Sequence, residues 1–115
     1  MDRKDLRIGD TVLYKENPVI IREINGFGRI EIGGIKKVGC YELRPIPITE
    51  ELLSEMRFID NQLTTNKGWI GTELFGDGDW WFTLRDAEGQ YLAEIKVNYL
   101  HQLQHIMWDF LHQEV

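Results

Sequence analysis

The chain has 115 residues, 43 % of them hydrophobic, and a formal net charge of −6. That length fits one domain or two very small lobes, and the composition is that of a globular chain and not of a disordered one. No apolar run approaches the ~20 residues of a membrane span, and one cysteine, Cys40, leaves no partner for an intramolecular disulfide. The opening Met1-Asp2-Arg3-Lys4-Asp5-Leu6-Arg7 is charged and lacks the apolar stretch of a signal peptide, so the expected compartment is a cytoplasm, that of the encoding cell or of a host.

The first 44 residues read as short strands broken by turns. Gly9-Asp10 opens Thr11 to Tyr14, and Glu16-Asn17-Pro18 turns the chain into Val19 to Ile24. Asn25-Gly26 signals a hairpin because both residue types tolerate positive φ. Arg29 to Ile32 alternates polar and apolar, placing Ile30 and Ile32 toward a core. Gly33-Gly34 breaks the chain before Ile35 to Val38, and a further strand is expected over Cys40 to Leu43. Four or five such strands predict a small SH3-like barrel or curled antiparallel sheet.

Pro45-Ile46-Pro47-Ile48 lacks the ladder donors of a central strand and reads as a hinge, dividing a strand-rich lobe, 1–44, from a lobe 49–115. Thr49 caps a two-turn helix, Glu50 to Met56, whose apolar stripe is Leu52, Leu53 and Met56. The polar stretch 60–68 is expected to be a loop. A three-stranded meander follows: Trp69 to Phe75, Trp80 to Arg85 and Gln90 to Lys96, turned at Gly76–Asp79 and at Asp86–Gly89. In the middle strand a period of two sets Trp80, Phe82 and Leu84 on one face and Trp81, Thr83 and Arg85 on the other. Tyr99, Leu100, Leu103, Ile106, Met107, Phe110 and Leu111 recur at helical spacing, so an amphipathic helix capped by Asn98 should close the core. The predicted class is α+β.

Charge is uneven. Residues 1–44 hold nine Lys/Arg against seven Asp/Glu, net +2, and residues 45–115 hold four against twelve, net −8. An acidic second lobe repels phosphate; solubility is the first account of such a face, and a basic protein surface as its partner is the second.

Catalytic patterns are sparse. His101, His105 and His112 share a side of the last helix with Trp108, and two histidines four apart can reach one zinc ion. Gln102 stands where a metalloprotease carries its Glu, and no third ligand is near in sequence, so a solvated helix face is the better reading. Ser54, the single serine, has no nucleophile elbow around it, and Cys40 reads as a small hydrophobe. Gly76-Asp77-Gly78-Asp79 starts like a calcium loop, but Glu88 is out of register for the closing ligand and a hairpin turn accounts for it better. Gly26-Phe27-Gly28 lacks the Lys-Ser/Thr of a phosphate loop. No cofactor, no metal and no catalytic set is expected.

Cover by the N-terminal barrel is the first account of Trp81; if it is exposed, Trp81 and Arg85, of the residue types that dominate binding hot spots, are the candidates for a protein partner, with Asp77, Asp79 and Glu88 at the adjoining turns. Leu92 is a further candidate for that face, and Trp81 or the helix face around Trp108 would serve a homo-oligomer. Alternatively, Arg22, Arg29, Lys36, Lys37 and Arg44 track a nucleic-acid backbone while Tyr14 or Phe27 stacks on bases.

Leu6-Arg7-Ile8-Gly9-Asp10-Thr11-Val12-Leu13-Tyr14, then Pro45-Ile46-Pro47-Ile48-Thr49, then Tyr99-Leu100-His101-Gln102-Leu103-Gln104 resemble, in the same order, motifs of short uncharacterised proteins of gut Bacteroidetes and their phages. Those motifs run L-R-I-G-N-x-V, P-I-P-L-T and V-H-Q-L-Q-N-L-Y-F. The chain departs after Gln104, where His105-Ile106-Met107-Trp108 stands for N-L-Y-F, and 58–97 has no counterpart. The resemblance implies a phage or mobile-element setting and supplies no catalytic residue. The leading expectation is a non-enzymatic accessory protein that binds a host protein, in its concrete form an anti-CRISPR-like inhibitor of a defence nuclease. A nucleic-acid module in the N-terminal barrel, for which Gly9-Asp10-Thr11-Val12 resembles KOW and SH3-like openings, is second. A hydrolase built on the histidine helix is third.

Overall fold

A computed structural model describes residues 1, 3–26, 29–33 and 36–111. The chain is α+β and mostly antiparallel, and it divides into two compact units, Met1–Ile46 and Pro47–Val115.

The first unit is a curled half-barrel of five strands: β1 (Thr11–Tyr14), β2 (Asn17–Ile24), β3 (Arg29–Ile32), β4 (Lys36–Gly39) and β5 (Leu43–Arg44), in the order β4-β3-β2-β1-β5. Alternation decides what is inside: Val12, Ile21, Ile30, Ile32, Val38 and Leu43 are buried together, with Ile30 and Ile32 inward as expected. Gly9, at φ 97, lets the chain enter β1. Its N–H donates to the Ile21 carbonyl, and the buried Asp10 carboxylate accepts the Arg7 N–H at 2.8 Å.

Three turns differ from the sequence reading. The β1–β2 turn is Lys15-Glu16, both left-handed at φ 47 and 66, so β2 starts at Asn17 and Pro18 lies within it opposite Leu13. Because β3 pairs with β2 only from Ile21 onward, Pro18 has β1 alone beside it, and its missing N–H is tolerated as at an edge. Asn25-Gly26 does form a hairpin, but neither residue takes positive φ; the Asn25 side chain accepts the Arg29 N–H instead. Over Cys40–Glu42 the expected strand is a 3-10 turn, closed by the Glu42 carboxylate on the Gly39 N–H at 2.8 Å. The expected features at Phe27, Gly28, Gly34, Ile35 and His112 lie outside the described residues.

In the second unit Thr49 accepts the Leu52 N–H and caps α1 (Glu50–Glu55), as its sequence predicts. The sheet has four strands, not three: β6 (Gln62–Thr65), β7 (Gly68–Leu74), β8 (Trp80–Asp86) and β9 (Tyr91–Lys96), in that order. The stretch read as a loop, 60–68, holds β6 between two tight turns. Asp60-Asn61, both at positive φ, closes the first, and Asn66-Lys67 joins Thr65 to its register partner Gly68. A polar edge strand with one buried apolar residue, Leu63, gives little hydrophobic alternation to read.

Trp80, Phe82 and Leu84 point inward, as the period of two requires, and meet Ile70, Leu53, Phe58, Leu63 and Val97. Phe58 sets its edge against Phe82 at 6.2 Å. The closing helix, α2 (Leu100–Ile106), packs Leu103 into this cluster and continues in a wider π turn, Met107–Leu111, that buries Met107 and Leu111. Among the described residues no helix is long and apolar enough to cross a membrane.

Gly68 has φ +151, and a Cβ there would fall 2.4 Å from the Arg85 carbonyl and about 3.2 Å from the Phe110 ring. At Gly71 a Cβ would meet nothing within 4 Å. Gly68→Ala is therefore expected to lower unfolding free energy by about 2–3 kcal/mol. Gly71→Ala should be neutral or stabilising by up to about 1 kcal/mol, since a mid-strand glycine is entropically costly. Denaturant unfolding of the two variants checks the contrast.

Candidate functional site: the outer face of the four-stranded sheet

The outward side chains of the second sheet lie in three rows, fixed by register. One row runs Thr64, Trp69, Arg85, Tyr91; the next Gln62, Gly71, Thr83, Glu94; the third Glu73, Trp81, Lys96. Trp81 and Arg85 thus share a face, as the sequence predicts. Both are half-buried, and Trp81 packs against the edge of Phe75 with ring centroids 6.2 Å apart. Leu92 is the extra residue of a bulge between Leu84 and Arg85, so the neighbour of Arg85 is Tyr91, which is exposed.

Arg85 is not a free cation. Its Nη1 donates to the Gly89 carbonyl at 3.1 Å and fastens the β8–β9 turn, over which Trp69 also lies. In that turn Asp86 Oδ1 accepts the N–H groups of Glu88 and Gln90, and Gly89 takes φ 83, the left-handed bulge position expected for it. Glu88 contributes its backbone to this turn while its side chain is exposed.

The Gly76–Asp79 loop is a turn held from within. Asp77 Oδ1 accepts the Asp79 N–H, and Asp79 accepts Asn98 Nδ2 at 2.9 Å and faces Lys96 Nζ at 3.8 Å. Asn98 is therefore not the helix cap that its position suggests. Its Oδ1 accepts the Trp80 backbone N–H at 3.0 Å, and Tyr99 occupies the cap position without a side-chain bond. Asn98 serves the start of β8 because an amide carries a donor and an acceptor, and both are used there.

The histidine helix corrects a second expectation. His101 is 3 % exposed, not part of a solvated face. It is stacked with Tyr99 at 6.2 Å and meets the edge of His105 at 5.8 Å, and His105 in turn lies 5.9 Å from Trp108. Rings in such a row bury their apolar bodies, which a hydropathy pattern does not credit to histidine. The Trp108 Nε1 is buried with no hydrogen-bond partner among the described residues. No group of three His, Cys, Asp or Glu that could hold a metal ion occurs among the described residues. Ser54 is exposed in α1, and Cys40 is half-buried at the edge of the first core.

The cations of the first unit are spread among carboxylates. Lys37 of β4 sits opposite Glu31 of β3, which sits opposite Glu23 of β2. Arg44 is ion-paired with Glu16 on the other side of the strand order. Arg22 and Arg29 are exposed on β2 and β3, and for Lys36 only the backbone, in β4, is described. Tyr14 is buried, with Lys15 Nζ 5.5 Å from its ring, and is not placed to stack on a base. A shallow cleft of about 390 Å³, lined by Thr11, Pro18, Val19, Ile20, Arg22 and Gly33, lies on this unit.

Trp69, Gly71, Glu73, Tyr91, Glu94 and Lys96 belong to the outer face without having been singled out from the sequence. Period two applied to all strands of the meander would have found them once the register was known. Comparisons with known protein families, with curated proteins and with solved structures give no match.

Replacing Asn98 by Ala leaves the Trp80 N–H and Asp79 without this partner. The expected loss is about 1–2 kcal/mol in unfolding free energy. Gln102→Ala, which removes only an exposed 3.3 Å bond to the Asn98 N–H, should cost less than about 0.5 kcal/mol. Thermal unfolding of the pair distinguishes the two roles.

Proposed function

We propose that the chain is a non-enzymatic protein-binding module of a phage or mobile element, and that it engages a host protein through the outer face of β7, β8 and β9. The observation that carries the reading is the composition of that face. Two tryptophans and a tyrosine are presented on a rigid sheet, the arrangement in which aromatic anchors desolvate large area at small entropic loss. The net −8 of residues 45–115 favours a basic partner surface, such as the nucleic-acid channel of a defence nuclease. Inhibition of such an effector, in the manner of an anti-CRISPR protein, is the concrete form of the proposal. The motif resemblance at Leu6–Val12, Pro45–Thr49 and His101–Gln104 supports the mobile-element setting. The interleaving of Glu16, Glu23 and Glu31 with the cations of the first unit favours this reading over nucleic-acid binding, because mixed signs weaken the pull on phosphate.

The test is affinity capture from host lysate with the intact chain and with Trp81→Ala. The variant should stay folded, since Trp81 is half-buried and lies outside the core cluster; its edge contact with Phe75 is worth about 0.5–1.5 kcal/mol beyond the area it buries. It should lose a captured protein by about thirtyfold or more in affinity, the scale of a hot spot. A captured partner that binds Trp81→Ala and the parent chain equally would overturn the face assignment. Tight, steeply salt-dependent binding of RNA or DNA by the purified chain would overturn the protein-partner reading.

A further inference from the structure

Between the two tall rows of the outer face lies a low strip. Its central positions are Gly71, without a side chain, and Thr83, which is small, and the space above Gly71 is open to at least 4 Å from where a Cβ would stand. The flanking rows, Trp69-Arg85-Tyr91 and Glu73-Trp81-Lys96, are separated by four residues along the strands, or about 13 Å by strand geometry. The strip therefore lies between a row that carries Trp69 and Tyr91 and a row that carries Trp81, with carboxylates on the strands either side of β8, Glu73 on β7 and Glu94 on β9.

The charges of this face are not equivalent. Of its two cations, Lys96 faces the Asp79 carboxylate, while Arg85 is held in place by the neutral Gly89 carbonyl and keeps its charge. Glu73 and Glu94 are exposed and make no ion pair among the described residues. Two carboxylates without an ion pair against one guanidinium leave the face net negative, and it also carries indole rings, whose faces attract cations. A planar guanidinium answers both demands at once, stacking on an indole while donating in its plane to a carboxylate; a lysine ammonium answers them less well.

We infer that the Gly71 strip is a seat for an arginine side chain of a basic partner segment, within reach of an indole in one of the flanking rows, Trp69 or Trp81, and with Glu73 and Glu94 as its counter-charges. The inference rests on the reading of this face as the binding surface and names the chemistry that the surface selects. The open floor matters as much as the charges: any larger residue at position 71 would occupy the space the guanidinium needs.

That gives a variant which blocks the seat without harming the fold. Gly71→Leu has open space around its Cβ on an outward position and relieves a mid-strand glycine, so its stability should equal or exceed that of the parent chain. The probe is a short blocked peptide with one central arginine among glycines and serines, compared with peptides carrying lysine or citrulline at the same place. The readout is the indole N–H signals of the four tryptophans in nitrogen–proton correlation spectra of the full chain, assigned through Trp69→Phe and Trp81→Phe. At millimolar peptide the arginine form should shift the Trp69 or the Trp81 signal, the lysine form less, and the neutral citrulline form not at all. Gly71→Leu and the double variant Glu73→Gln/Glu94→Gln should each weaken the arginine peptide about tenfold or more. Equal shifts with citrulline, undiminished shifts in Gly71→Leu, or no shift with arginine would each overturn the inference. If a lysate partner is lost in Trp81→Ala yet the arginine peptide shifts nothing, the face stands as the binding surface and the arginine seat falls. If the partner survives both Trp81→Ala and Gly71→Leu, the face assignment falls with it.

Discussion

The second unit is organised by Trp80. Its indole N–H donates to the Ile48 carbonyl in the buried interior, and its backbone N–H donates to Asn98. Its carbonyl accepts the Val97 N–H, while Ile48 donates to the Asn98 carbonyl. One residue thus fastens the connector before α1, the start of β8 and the passage from β9 into α2. Because side chains alternate along a strand, fixing Trp80 inward fixes Trp81, Thr83 and Arg85 outward. A slip of one residue would exchange the core for the surface, so the proposed binding face inherits its definition from a buried hydrogen bond on the other side of the sheet.

The same economy appears in the charges. Near the meander, several polar side chains are committed within the fold: Asp77 and Asp86 close their own turns, Asp79 and Asn98 pair with each other, and Arg85 and Thr65 cap neighbouring carbonyls. Residues read from sequence as a binding rim are, in three of these positions, parts of turn architecture. The side chains of that face without such a bond are a smaller set, and it is mainly aromatic and anionic. Sequence charge alone does not make that selection, since it counts Asp79 and Glu94 alike.

Much of the fold is legible in the sequence because it rests on periodicity and turn chemistry. Ile30 and Ile32, the Thr49 cap, the split of β8 and the Gly89 bulge all follow from local rules. Strand β6 does not, because Gln62, Thr64 and Thr65 are polar and the strand exists by pairing with β7, a long-range property. The left-handed Lys15-Glu16 turn is hidden for a related reason. Neither residue type asks for positive φ, and the register of β1 against β2 imposes it. Helical position alone makes Asn98 a cap and sets His101 in solvent, whereas the bond between Asn98 and Trp80, 18 residues apart, and the aromatic row from Tyr99 to Trp108 decide their roles. Of the outer face, Trp81 and Arg85 could be paired from one strand; the strip at Gly71 needed three strands in register.

The bulge at Leu92 has a consequence for how the sheet meets other chains. β9 is an outer strand of its sheet, and a regular edge of that kind invites further strands to add on and polymerise. An incoming strand that paired with the residues from Ala93 onward would be out of step at Tyr91, since the extra residue breaks the even spacing of donors and acceptors. The ladder is thereby blunted as a template for fibrils, and growth by strand addition is discouraged where the hydrophobic side chains Tyr91 and Leu92 are most exposed. The molecule can keep two large apolar groups at its margin without offering the continuous backbone that would turn them into an aggregation seed.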